Sequence, residues 1–217
     1  MFTMTTRARK RVLAVAAAAG MTASLSMVGA TSAHAQATPT GATGTTVLVI
    51  GGPAVNALTA SGCGTLTLTG NNGAQVAQTA KNQWRITLAI TEVDVNDNGG
   101  IGLLHQGSVE LQNDCYDITL AALRINNFGE AGQFTSFNLS ATLHSPDDSD
   151  HYVVGELDLT DAQVAFSGSK VRVTKENLLL APEGAEEFNE LAGNEFGGPF
   201  YAGEKIGNGK TTVVFHY

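Results

Sequence analysis

The chain has 217 residues with 12 Lys and Arg against 20 Asp and Glu, a formal net charge of −8. An acidic surface disfavours phosphate backbones and anionic lipid headgroups, so nucleic acid is excluded as a partner class. The length fits one domain with a substantial core better than two.

Arg7, Arg9, Lys10 and Arg11 make a basic head, an apolar middle runs from Val12 to about Ala30, and Ala33-His34-Ala35 follows as a small-residue cleavage sequence. This is the pattern of a secretory signal peptide over residues 1–35, cleaved before Gln36. Gly20, Thr22, Ser24 and Ser26 break the apolar middle, so no integral membrane span is expected in the mature chain. The 182 residues left carry 8 Lys and Arg against the same 20 acids, a balance of −12. That suits a secreted or extracellular protein, free or associated with the cell envelope. Residues 36–45 are Ala, Thr, Gly, Gln and Pro and read as a flexible leader, with a single β-rich domain over 46–217.

Thr46 to Ile50 is β-branched and apolar and opens that domain as a strand. Pro53 then begins a short helical turn that stops near Ser61-Gly62. Thr65 to Thr69 alternates as a half-buried strand, and Gly70-Asn71-Asn72-Gly73 is a turn. Trp84, Ile86, Leu88 and Ile90 share one side of the next strand, whereas Val93 and Val95 have the opposite parity. The slip predicts a bulge or bend around Thr91-Glu92. Asn98-Gly99-Gly100 turns the chain into a return strand from Gly102 to Gln112.

Tyr116 to Ile125, Phe134 to Leu143, Tyr152 to Leu159, Asp161 to Phe166 and Lys170 to Val173 are further strands separated by turn-rich segments. Leu178-Leu179-Leu180 leads through Pro182 into a helix with Ala185, Phe188, Leu191 and Ala192 at helical spacing and Gly193 as its stop. Thr211 to Tyr217 closes the chain as a strand. The class is all-β: an antiparallel β-sandwich or partly open barrel of about ten strands with two short helices.

Cys63 and Cys115 are an even pair in an exported chain and are expected to form a disulfide. In the loop Asp94-Val95-Asn96-Asp97-Asn98-Gly99, oxygen ligands at Asp94, Asn96 and Asn98 follow the first half of a calcium loop. His105 stands where that loop needs its bidentate Glu, so a polar hairpin tip is the competing reading. Glu156 and Asp158 share a strand face, as the acids of an envelope carbohydrate hydrolase would, although Leu157 and Leu159 on the other parity assign them to solvent. The chain has no serine elbow, zinc-binding helix or phosphate loop, so no catalytic residue is assigned.

Several segments together, Val47 to Gly62, Gly102-Leu103-Leu104-His105-Gln106-Gly107, Leu178 to Gly193, Phe200-Tyr201-Ala202-Gly203 and Ile206-Gly207, resemble the HtaA-like secreted β-sandwich proteins of high-GC Gram-positive bacteria. The resemblance implies haem binding at the cell envelope, with a tyrosine ligating the iron and a histidine supporting it. His105 stands at the histidine position, with Tyr116 as its partner and Tyr152, Tyr201 and His151 as further candidates. The segment comparable to the family's tyrosine motif, Lys81-Asn82-Gln83-Trp84-Arg85, contains no tyrosine. The expected function is therefore a non-enzymatic binding protein for a small-molecule or envelope ligand, haem being the sharp version. A calcium-stabilised surface or adhesion module is the third alternative beside the hydrolase.

Overall fold

Trp84, Ile86, Leu88 and Ile90 all lie on the buried face of one long strand. The rest of the chain repeats that alternation until the sheet closes on itself. The computed structural model describes residues 39–52, 55–56, 64–95, 100–114, 117–126, 136–144, 149–191 and 200–217. Among them the order is β1 (Gly41–Gly51), β2 (Thr67–Asn71), β3 (Gln75–Ala80), β4 (Gln83–Val95), β5 (Ile101–Gln106), β6 (Ser108–Gln112), β7 (Asp117–Asn126), β8 (Ser136–His144), β9 (Ser149–Asp158), β10 (Gln163–Ser167), β11 (Lys170–Leu180), α1 (Pro182–Leu191) and β12 (Lys205–His216).

Every pairing is antiparallel, and the ladders run β7-β5-β4-β1-β12-β11-β9-β8 before β8 returns to β7. That is a closed ring of eight strands, which leaves no free edge along its circumference. The barrel half of the expectation is the one adopted, and it is closed. β5 gives way to β6 along β7 and to β3 along β4, with β2 on the far edge of β6. Gly107 marks this split between β5 and β6: its φ is +95°, and a side chain there would strike the backbone of Asn71 and Ala74.

Several expectations change: the single return strand from Gly102 to Gln112 is β5 and β6, and the about ten strands are twelve among the described residues, with β3 one of the additions. Residues 41–45, expected in a flexible leader, are strand, because Gly41 to Thr45 pair with Thr212 to His216 of β12. The stretch from Lys170 to Leu180 is one continuous strand, where the sequence pattern had ended a strand at Val173. The front helical turn is described only at Val55 and Asn56, where Asn56 N–H donates to the Gly52 carbonyl at 3.0 Å; its remainder lies outside the described residues.

Bulges set which side chains point inward. The one expected near Thr91 is present, as the β4–β5 register shifts between Ile90 and Glu92. Others lie at Ala122 in β7 (φ 49°), at Lys175 in β11 (φ 63°) and in β9 beside Val154. Each inserts one extra residue and so reverses the facing of everything beyond it.

The β9 bulge also seats the helix. It frees backbone groups that the start of α1 takes up: Val153 N–H donates to Glu183 Oε2 at 2.8 Å, and Ala181 N–H donates to the Val154 carbonyl at 3.4 Å. Pro182 suits the first turn of α1, which lacks an intrahelical acceptor for an N–H there. The helix buries Ala185 and half-buries Phe188 across one end of the barrel.

Candidate functional site

Beneath α1 the barrel holds a partly open cavity of about 100 Å³. Its walls are aliphatic: Leu48 and Ile50 of β1, Ile86 and Leu88 of β4, Leu178 and Leu180 of β11, with leucines of β6, β7 and β8 opposite. These are the inward positions of their strands, so alternation alone makes the chamber apolar. Phe188 of α1 and Phe200 roof it, their ring centroids 5.8 Å apart and tilted by 47°. Asn189 fastens the roof, donating from Nδ2 to the Phe200 carbonyl at 2.8 Å and accepting Phe200 N–H at Oδ1 at 3.1 Å.

One pleat below the chamber, the interior turns polar. His105 of β5 is 4% exposed, and both its ring nitrogens are engaged. Nδ1 lies 3.1 Å from the Leu123 carbonyl and Nε2 lies 2.9 Å from Thr46 Oγ1. A carbonyl can only accept, so Nδ1 carries the proton. Thr46 Oγ1 lies 3.4 Å from Thr211 Oγ1 of β12, which lies 3.3 Å from Glu176 Oε2 of β11. Thr46 and Glu176 are 0% and 2% exposed. The string spans the interior and is closed below by Ala42, Val213 and Phe215.

Bulges build both ends of the string. Leu123 falls in the register break beside Ala122, and Glu176 follows the extra residue Lys175. Gly209, paired with Glu176, leaves room for the carboxyl, since a Cβ there would meet Glu176 Oε2. Burial drives His105 down to about 4, against the opposing Leu123 hydrogen bond, so the ring is neutral near pH 7. Burial pushes Glu176 up to about 7, although hydrogen bonds from the Thr211 hydroxyl and backbone work the other way.

The other sequence candidates scatter. Asp94 is exposed on β4, 3.5 Å from Arg124 Nη1. Asn96 and Asn98, with which it was to form a calcium loop, lie outside the described residues, as do Tyr116, Cys63 and Cys115. The described neighbours of the two cysteines do meet, for the Asp114 carboxyl lies against Gly64. Asp158 holds its own turn: Oδ1 accepts from Thr160 N–H at 2.9 Å and from its hydroxyl at 2.6 Å. Partial burial works to raise its pKa, but these bonds and one from Asn177 keep it below the ordinary carboxylate value. Leu157 and Leu159, of the opposite parity to Glu156 and Asp158, are buried, so the acid pair turns away from the chamber. Tyr152 is half-buried against the core, Tyr201 is 68% exposed, and His151 is exposed with Nδ1 3.4 Å from Thr142 Oγ1.

Sequence reasoning singled out His105 but missed Thr46, Thr211 and Glu176. A signal existed for Glu176: Val171 and Val173 have odd parity, whereas Leu178 and Leu180 have even parity, the same slip that exposed the bulge at Thr91.

Haem needs an axial ligand for iron and partners for its carboxylates. The chamber wall offers no such group, His105 Nε2 is tied to Thr46, and no three His, Cys, Asp or Glu side chains gather as metal ligands among the described residues. No helix among them is long and apolar enough to cross a membrane.

No family model matches the sequence, and no curated protein does. The fold is similar to the crystal structure of the C-terminal domain of HtaA from Corynebacterium glutamicum, with a TM-score of 0.52 and 15% identity over 80% of this chain and 99% of that one. A domain-swapped dimer of a histidine-to-alanine variant of the same domain has a TM-score of 0.48 at 15% identity, over 88% of this chain and 99% of that one. The chain therefore has an HtaA-like fold.

Proposed function

We propose that this HtaA-like barrel is an exported, non-enzymatic binding protein that takes an apolar small molecule into the chamber under α1. The observation that carries the reading is the wall: a cavity inside the barrel lined almost wholly by leucine, isoleucine, valine and phenylalanine. An eight-stranded barrel is the size at which the interior either fills with side chains or keeps room for one small ligand. At about 100 Å³ the chamber suits a small ring or a few methylenes, below the range for drug-sized ligands. Export is supported by the basic head, apolar middle and Ala33-His34-Ala35 of residues 1–35, the pattern of a secretory signal peptide, and the working protein would then act outside the cell or at its envelope.

Methyl resonances of isoleucine, leucine and valine, followed while benzene or n-hexane is titrated into the protein, test this reading. Leu88 and Leu178 in the chamber should shift, and Val171 and Val213 beneath the polar string should stay in place. An unchanged spectrum at saturating hydrocarbon refutes chamber binding. Haemin, titrated separately, examines the ligand that the family resemblance implied. A Soret shift lost in His105→Gln would put iron at His105 and displace the reading of that side chain as a hydrogen-bond centre.

A further inference from the structure

Counting protons along the buried string fixes its chemistry. Four contacts join five groups: the Leu123 carbonyl, His105, Thr46, Thr211 and Glu176. The carbonyl can only accept, so His105 donates from Nδ1 and Nε2 accepts. Thr46 must then give its one hydroxyl proton to Nε2, and Thr46 Oγ1 can only receive from Thr211. Thr211 donates to Glu176 when the carboxyl is ionised; with the Thr211 proton turned to Thr46 instead, that contact contains a hydrogen only when the Glu176 carboxyl supplies it. Were Glu176 ionised, Thr211 would donate to it, and the Thr46–Thr211 contact would face two oxygens with no proton between them.

We infer that the barrel interior is a proton-binding site in which Glu176 holds the proton at the head of this directed chain, and that losing the proton weakens the grip of the chamber on an apolar ligand. Among the described residues no cation faces the carboxyl to replace the proton. Thr211 and Gly209 face it from β12, Leu157 of β9 stands with it beside Gly209, and Thr46 of β1 and His105 of β5 lie further along the string. Lys205 and Lys210 of β12 and Lys175 of β11 are outside the interior, and Tyr152 of β9 is half-buried against the core. A carboxylate buried there, with hydrogen bonds from Thr211 but no cation beside it among the described residues, would draw in water. The interior below is shut by Val213 and Phe215, so the water would enter through the chamber, whose floor residues Leu48 and Leu178 stand two positions beyond Thr46 and Glu176. Ligand and proton then favour each other reciprocally. The burial that moves Glu176 to about 7 puts this exchange near neutral pH.

The second half of the inference rests on the chamber being the ligand site, and the test keeps the halves apart. Infrared spectra from pH 5 to 9 should show a buried carboxylic-acid carbonyl band that titrates near neutrality and is missing in Glu176→Gln, whose amide keeps the donor to Thr211. Absence of that band at pH 5 overturns the proton site. Xenon, small enough for the chamber, is the ligand probe. If only the protonated form binds, its affinity falls about tenfold for each pH unit above the Glu176 midpoint, and stays flat in Glu176→Gln. Xenon affinity that is flat in both proteins removes the coupling. Xenon that binds at no pH removes the chamber reading, while the infrared band still decides the proton site. Thr211→Val serves as the second variant: it cuts the chain, and the band should move in frequency.

Discussion

Glu176→Gln should change how stability depends on pH, because Glu176 and His105 pull the profile in opposite directions. A carboxyl raised from its ordinary 4.5 to about 7 in the fold contributes stability that is complete below pH 4.5 and lost as pH rises to 7. An imidazole lowered from 6.5 to about 4 contributes stability that is complete above pH 6.5 and lost as pH falls through 4. Each displacement corresponds to about 3 kcal/mol, and both groups are almost wholly buried, so solvent does little to screen it. Between about pH 4.5 and 6.5 the two slopes cancel, and the wild-type contribution is level there. The amide removes the falling branch. The difference in unfolding free energy between Glu176→Gln and wild type should therefore grow by about 3 kcal/mol in favour of the variant from pH 4 to pH 8, measured by urea denaturation at half-unit steps. His105→Gln should leave the opposite profile, a decline from pH 4.5 to 7. A difference that stays constant with pH would refute the burial of an uncompensated carboxyl in the barrel.

The remaining predictions concern packing and covalent closure. Gly184→Ala would set a methyl group against the Val154 carbonyl and Cα, backbone that cannot rotate away. Overpacking of about 1–3 kcal/mol, offset by about 1 kcal/mol of helix propensity, should loosen α1 and speed amide exchange in Ala185 and Phe188; slower exchange would count against the contact. Gly209→Ala crowds the Glu176 carboxyl and Leu157 and should destabilise by about 1–3 kcal/mol, with unchanged stability as the contrary result. Cys63 and Cys115, flanking the Gly64–Asp114 contact, should appear as one cross-linked peptide in a non-reducing digest, and reduction should cost about 4 kcal/mol. Alkylation of both thiols without reductant would dismiss the bridge.

The burial of Trp84, Ile86, Leu88 and Ile90, the bulge at Thr91 and the Pro182-led helix were all legible from residue order, because each depends on neighbours within a few positions. Two-residue alternation assigns side chains to faces, a break in parity marks an inserted residue, and proline suits a first helical turn. His105 was also singled out from its strand. Its partners were not, since Thr46, Thr211 and Glu176 lie 59, 106 and 71 positions away in sequence and meet it only across β4, β1 and β12.

Ring closure was decided by tertiary structure alone. A run of alternating strands fits a sandwich or a barrel equally well until β8 pairs with β7, and no local pattern encodes that contact. The same holds for the interior. Residue alternation declares which side chains share a face, but the bulge at Lys175 turns Glu176 inward, and Gly209 on a different strand gives its carboxyl room. Local chemistry thus determined the strands and their apolar faces, while long-range pairing decided that those faces enclose a chamber above a buried acid.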